Sequence, residues 1–471
     1  MGRVVVSGEP TGDTRSYGVA AGLLTVALGA AGLLTYGFFA VASHSLEPND
    51  YGQIVVLWSL VFIVVSTLFR PVEQLLSRTV AELEAHGEAI GHALKVAASI
   101  QLGVALAFVV SAFALRGVLQ DELLEGNELL FWVMVGSVLA FGASFFTRGF
   151  LAGRRQFGLY ATLLLIDGAA RLSFALSVAL GISEGMNAIA IGIAVAPALS
   201  LVVTPVALRR RRAAAPPAVA QAAVGGETES GVRSEAAPEF TLAHGGGFAS
   251  AVLVIMLSEQ VFLNGGPLFV RAEEGAAAAG FIFNVLMVAR APVVLFQAVA
   301  ASLLPHLTRL RSTGGETSED AFRVSVRLTI MVVAGLAAAA IVVMLVAGPQ
   351  LMQIAFGEKF SYDRLGLVIV AAGMGFYLSA ATLNQAALAQ GQVRRAAACW
   401  GLCALGFVVW NLLPVLDVFR RVEVGFAGGA AILCGLLYVL YRDPHPSAGD
   451  EITPGSIHEL EARLAAADEV G

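Results

Sequence analysis

Apolar residues run through this chain in long blocks, and charges gather in the gaps between them. A helix needs about 20 predominantly apolar residues to cross the hydrocarbon core of a bilayer. A window of roughly 19 residues finds twelve such blocks: 18–43, 53–76, 94–116, 128–151, 157–180, 186–208, 247–268, 275–304, 324–347, 364–388, 396–415 and 424–441. The pattern predicts an all-α polytopic membrane protein with about 12 transmembrane helices. The leading segment, MGRVVVSGEPTGDTRSYG, is polar and carries acids, and the first block is too long for a signal-peptide core. The first span is therefore expected to be a retained anchor.

Positive charge in the short gaps predicts orientation. With the N-terminus cytoplasmic, the inside segments hold sixteen Lys and Arg, among them Arg78, Arg154, Arg155, Arg209 to Arg212, Arg394 and Arg395, not counting Arg233 of the linker and Arg463 of the tail. The outside segments hold six: Arg116, Arg271, Lys359, Arg364, Arg420 and Arg421. Both termini are expected inside the cytoplasmic (plasma) membrane. Residues 1–17 form the N-terminal segment, 18–208 an N-lobe, 209–245 a linker, 246–441 a C-lobe and 442–471 an acidic cytoplasmic tail. The linker is rich in Ala, Pro and Gly without helical or strand period, so it reads as flexible. Its RRRR start is a topology determinant or a lipid-binding patch. In the tail, Ser456 and Glu459 have capping-box spacing before a short helix.

The linker leaves six spans on either side, and the two halves echo each other. An offset of 228 aligns Gly52 with Gly280 and Leu75-Leu76 with Leu303-Leu304. FLAGRRQF (150–157) likewise pairs with ALAQGQVRR (387–395). Six spans per half begin and end on one side, so the halves would be parallel repeats about an axis along the membrane normal, with a path between them. A duplicated bundle with no path is the plainer alternative.

Composition sharpens the class. Of 471 residues 57% are hydrophobic and 14% charged, against roughly 25% charged in a soluble domain. The mean hydropathy of +0.78 is more than one soluble core can hide. A soluble enzyme, a secreted scaffold and a disordered chain are excluded, and the net charge of −6 adds little. Cys399, Cys403 and Cys434 all lie in apolar blocks, which argues against a disulfide framework or a zinc site. No G-x-x-x-x-G-K-[ST] motif is present, and nothing points to a cofactor, a nucleic-acid partner or enzymatic activity.

Ionisable groups within spans cost several kcal/mol and tend to face a cavity or a partner. In the second span Arg70, Pro71 and Glu73 lie toward the cytoplasmic side, where Arg70 either meets a cavity or reaches for the headgroups. Arg148, near the end of the fourth span, is expected to reach the headgroups. Asp167 and Arg171 stand at i,i+4 near mid-depth and can pair within their helix, as a structural or a functional pair. Glu259 is deep in the seventh span. Asn264-Gly265-Gly266-Pro267 beyond it should unwind the helix end. Arg290, near the centre of the eighth span and two residues before Pro292, is the strongest candidate for a functional charge. A guanidinium there stays charged and binds phosphate oxygens in pairs. An exporter of cations would rather display unpaired acids, and Glu259 keeps that option open.

Three segments carry a resemblance: LEPNDYGQIVVLWSLVF (46–62), RPVEQLLSRTVAE (70–82) and FLAGRRQFGLY (150–160). With them the chain resembles the Wzx-type polysaccharide-biosynthesis flippases, actinobacterial-like members of the multidrug/oligosaccharidyl-lipid/polysaccharide exporter superfamily. The resemblance implies two six-helix lobes around a central cavity lined by the first, second, seventh and eighth spans. It implies alternating-access transport of an undecaprenyl-diphosphate-linked oligosaccharide, with glycosyltransferase and polymerase partners. On that pattern the substrate-binding candidates are Arg70, Glu73, Glu259, Asn264 and Arg290, beside the Asp167–Arg171 pair. The first span departs from the pattern, offering only Tyr36, Ser43 and His44. A multidrug or metabolite cation antiporter, a peptidoglycan-precursor flippase and a membrane scaffold for glycosyltransferases are the rival readings.

Overall fold

A computed structural model describes residues 13–205, 242–311 and 317–442, with side-chain surroundings for 26–205, 250–290 and 323–442 apart from Ala389. Most of the expected linker with its arginine run, and the tail with its capping box, lie outside the described residues. Among the described residues every regular element is a helix. In chain order these are α1 (Asp13–Ser45), α2 (Pro48–Leu68), α3 (Arg70–Ala85), α4 (Gly91–Ala114), a π-helical turn (Gly117–Leu123), α5 (Glu128–Gly153), α6 (Phe157–Ala179) and α7 (Gly185–Ser200). The second half holds α8 (Leu242–Arg311), α9 (Thr317–Phe356), α10 (Arg364–Ala389), α11 (Val393–Leu412) and α12 (Val418–Arg442).

Eleven described segments are long and apolar enough to cross a membrane. The sequence's twelve blocks survive in them because α8 carries the seventh and eighth together. Its one non-helical residue is Gly275, at φ 89° and ψ 179°, a region open essentially to glycine alone. The two arms of α8 turn back on each other there. A methyl on Gly266 would touch Leu286 at 3.3 Å, from the opposite arm.

Three expectations are corrected. The run Asn264-Gly265-Gly266-Pro267 does not unwind, and α8 stays helical through it. Close packing replaces the loosened backbone: a methyl on Gly266 would stand 2.8 Å from Val422 of α12. The second block is not one rod. It breaks at Phe69, between α2 and α3, where Pro71 removes a helical N–H and favours a kink. The last span starts at Val418 rather than 424, which draws Arg421 and Glu423 into the packed interior.

The first-half helices pack as α1 on α6, α6 on α7, α5 on α7 and α3 on α5. In the second half α10 packs on α12, α9 on α10 and α11 on α8. These are the two lobes, and α2 against α8 is the extensive contact across the seam between them. Burial follows position. α2 is mostly enclosed, whereas α4 and α9 are peripheral and present apolar side chains such as Leu102, Leu106, Val342 and Val346 outward. An exposed apolar belt of this extent is stable only against lipid.

Candidate functional site

The seam is closed at the face that carries the α1–α2 turn. Gly52 lies so near the second lobe that a methyl on it would sit 1.8 Å from the Ala276 carbonyl oxygen. Its repeat partner, Gly280, faces it, with the Gly52 Cα 3.5 Å from where a Gly280 methyl would stand. Glycine's missing Cβ is what allows this approach. Tyr51 donates its hydroxyl to Asn284 Oδ1, Tyr36 donates to the Met287 carbonyl, and Phe39 packs on Phe283 at 4.6 Å between centroids. The Glu125 carboxylate accepts from Gln53 and pairs with Arg271 across the seam at 3.4 Å, and Lys359 meets Glu47 at 2.8 Å.

Away from that seal the seam becomes charged. Arg70 opens α3, directly after the kink, and its Nη1 lies 3.7 Å from Glu259 Oε2 on α8. Glu259 also accepts a hydrogen bond from the Tyr377 hydroxyl on α10, at 3.1 Å. Arg70 and Glu259 keep 32% and 26% of their side-chain surface accessible. Arg290 stands close enough to Tyr36 and Tyr377 to interact with both electrostatically. Among the described residues nothing accepts a hydrogen bond from its Nε or Nη2, although both are buried. Arg148, Arg171 and Arg421 each have one such nitrogen and Arg290 has two, which makes Arg290, among the described residues, the arginine with most buried donor capacity to offer an acceptor.

Behind Arg70, within the first lobe, lies a second charged group. Glu73 is buried on α3 and accepts from the Tyr160 hydroxyl of α6 at 3.1 Å. It sits within electrostatic reach of Arg148 and Arg70. Arg171 donates to Asp167 Oδ2 at 2.8 Å, as the i,i+4 spacing predicts, and lies over the Trp58 ring at 4.7 Å. Arg148 corrects the expectation that it reaches the headgroups. It is largely enclosed, with 11% of its side-chain surface accessible, its Nη2 lies 3.6 Å from Asp167 and its guanidinium stacks over Phe145. The carboxylate on the neighbouring helix is a better partner than the headgroup layer. Asn264 is buried and donates to Gln260 one turn earlier at 2.8 Å.

The structure thus brings Arg70, Glu73, Glu259 and Arg290 into one polar chain with Tyr36, Tyr160 and Tyr377. It sets Asp167 and Arg171 beside that chain and leaves Asn264 in a local pair. Tyr36 was named from the sequence only as a polar residue of the first span, and Tyr160 and Tyr377 were missed, because nothing in their spacing distinguishes them from interface aromatics. A third charged cluster, at the sealed face of the second lobe, was also missed. Arg420 donates to Asp363 Oδ2 at 2.6 Å and to Glu423 Oε2 at 2.7 Å, Tyr362 donates to Glu423, and Arg421 pairs with Glu273. The i,i+3 spacing of Arg420 and Glu423 was the available signal, and placing the span start at 424 hid it. Burial draws the Asp363 carboxyl upward, but the Arg420 guanidinium and the Gly366 N–H outweigh it. The pKa therefore sits below the ordinary aspartate value. A cavity of about 410 Å³ lined by Phe281, Ser361, Asp363 and Arg420 adjoins this cluster. Among the described residues no group of three or more His, Cys, Asp or Glu could hold a metal ion.

The chain has the two-lobed fold of MATE transporters. A mutant form of the Vibrio cholerae MATE transporter VcmN matches with a TM-score of 0.57 at 16% identity, over 91% of this chain and 97% of that one. The eukaryotic MATE transporter AtDTX14 matches with a TM-score of 0.56 at 14% identity, over 90% and 94%. An inward-facing multidrug resistance MATE family transporter of the MOP superfamily matches with a TM-score of 0.56 at 12% identity, over 89% and 97%. At such identities the likeness establishes the fold. No family model matches the chain, and no curated protein matches it in sequence.

Proposed function

We propose that this protein moves an anionic, lipid-linked substrate across the cytoplasmic membrane by alternating access of its two lobes, with both termini inside. The substrate class the site favours is an undecaprenyl-diphosphate-linked oligosaccharide for polysaccharide biosynthesis. The observation that carries the reading is Arg290, a guanidinium at the seam whose buried Nε and Nη2 lack partners among the described residues. Arginine forks match phosphate oxygens in geometry and charge. The surrounding inventory agrees in sign. Arg70, Arg148, Arg171 and Arg290 outnumber Glu73, Asp167 and Glu259 in and beside the seam. A cation would meet a net repulsive field there.

The membrane potential favours the direction. Moving two negative charges outward across about 100 mV, inside negative, releases roughly 4 to 5 kcal/mol, so no nucleotide is needed. The lipid tail would stay in the bilayer while the diphosphate follows the seam. A multidrug cation antiporter is the second reading. Glu259, accessible at the seam and held by Tyr377, favours it, as do neighbours named for multidrug resistance.

Reconstitution separates the two. Arg290→Ala should lower translocation of a fluorescent lipid-linked diphosphate oligosaccharide in proteoliposomes at least about tenfold, the scale of one lost charge-assisted contact. Unchanged flux removes the anion reading. Loss of organic-cation efflux in Glu259→Gln, with Arg290→Ala unaffected, establishes the antiporter instead.

A further inference from the structure

The charges of the seam lie at two depths. At a helical rise of about 1.5 Å per residue, Arg70 stands about 27 Å along α2–α3 from Gly52. By the same count Glu259 stands about 25 Å along α8 from the seal at Ala276. Arg290, on the returning arm, is only about 15 Å from Gly280. An anion approaching along the seam from the end opposite the seal therefore reaches the Arg70–Glu259 pair first and Arg290 second.

Building on the anion reading of the seam, we propose that Glu259 is a resident counter-ion acting as a charge filter. It occupies Arg70 until a ligand of phosphate class, carrying more negative charge than a carboxylate, takes its place. The pair is suited to exchange. Its 3.7 Å separation is longer than the 2.7–2.9 Å of a charge-assisted hydrogen bond, and both side chains keep accessible surface. Displacement does not strand the acid, because the Tyr377 hydroxyl still donates to Glu259 Oε1 at 3.1 Å. Arg70 also stays in a polar setting, next to buried Glu73. A ligand phosphate held by Arg70 is then about 10 Å along the seam from Arg290, whose two buried nitrogens await an acceptor.

The same exchange links binding to motion. Arg70 belongs to the first lobe and Glu259 to the second, so a ligand that captures Arg70 removes a tie between lobes at that depth. A neutral sugar has no charge with which to break the pair. A monovalent carboxylate only replaces one carboxylate by another. Selectivity for doubly charged heads thus follows from a pair of protein residues rather than from a snug pocket.

The test is calorimetric titration of inorganic diphosphate into the full-length protein in lipid nanodiscs, with acetate as the control anion. Glu259→Gln should bind diphosphate about fivefold tighter than the wild-type chain, the worth of a half-exposed ion pair. Arg70→Ala should bind it more weakly, and adding Glu259→Gln to Arg70→Ala should change nothing further. Acetate should not compete. Glu259→Asp, which keeps the charge but shortens the reach, should fall between wild type and Glu259→Gln, and it carries the test if the glutamine variant does not fold. Equal or weaker binding by both Glu259 variants, with binding still lost in Arg290→Ala, overturns the filter and leaves the anion path standing. Diphosphate binding by no variant, wild type included, overturns both.

Discussion

Removing the countercharge of a guanidinium packed between apolar helices is costly. Asp167 serves two of them, Arg171 at 2.8 Å and Arg148 at 3.6 Å. Asp167→Ala leaves two buried cations around one hole. Its cost should be about 3–5 kcal/mol, read as a lowered unfolding midpoint in detergent. Replacing all three with apolar residues of similar size should recover most of that loss, because the pair's desolvation cost goes with it. The sequence showed the i,i+4 pair but not the third member, since Arg148 lies on a different helix. Asp363 gives the residue-scale dependence on pH. Its folded pKa lies below the ordinary value, chiefly through Arg420 and the Gly366 N–H acting against burial. Its contribution is therefore present above the unfolded value of about 3.9 and is lost as pH falls through the folded one. Acid unfolding below about pH 4 should set in earlier for wild type than for Asp363→Asn relative to each protein's stability at neutral pH. Parallel acid profiles would show that the carboxylate contributes nothing.

Element lengths were legible because the bilayer imposes them, and the twelve apolar blocks reappear as membrane-crossing helix. Breaks within helices were only partly so. Phe69 interrupts the second block, while the Gly-Gly-Pro run continues as helix. Pro71 was a local sign of the first break, whereas tertiary contact decides the second outcome, where Gly266 packs α8 against α12. The offset that aligned Gly52 with Gly280 was legible as a repeat, but not its consequence, that the two glycines meet. The prediction at this scale concerns that meeting. Gly52→Ala places a methyl where the Ala276 carbonyl stands, and overpacking of this kind costs about 1–3 kcal/mol. The strain falls only on the sealed arrangement. A cysteine at Asn284, buried behind the seal, should become reactive to an impermeant maleimide in the Gly52→Ala background and stay protected in the parent. Equal protection in both would mean that α2 yields without opening the seam.

For the molecule as a whole, the proposed transport would require the sealed face to part while the charged depth closes behind the substrate. Besides the hydrogen bonds of Tyr51 to Asn284 and of Tyr36 to the Met287 carbonyl, two ion-pair ties at the rim oppose that parting. Arg271 pairs with Glu125 and donates to the carbonyls of Glu122 and Leu123, and Lys359 pairs with Glu47. Each tie joins one lobe to the other, and none involves the charges at the substrate depth. Exposed ion pairs are worth about 0.2–1 kcal/mol, and the backbone bonds of Arg271 about 1 kcal/mol each. Losing all of them should shift the balance between closed and open states by about 2.4–4 kcal/mol, or roughly 60- to 850-fold in population. Arg271→Gln combined with Lys359→Ala is the variant. Spin labels at Asp121 and Glu274, both exposed at that face and on opposite lobes, report the separation by pulsed electron resonance. The parent should give one short distance, and the double variant should add a longer component that grows with each substitution. An unchanged distribution would place the closing free energy in the inner contact of Gly52, Phe39 and Phe283 together with the hydrogen bonds of Tyr36 and Tyr51. Opening would then depend on repacking α2 against α8 rather than on breaking the ties at its rim.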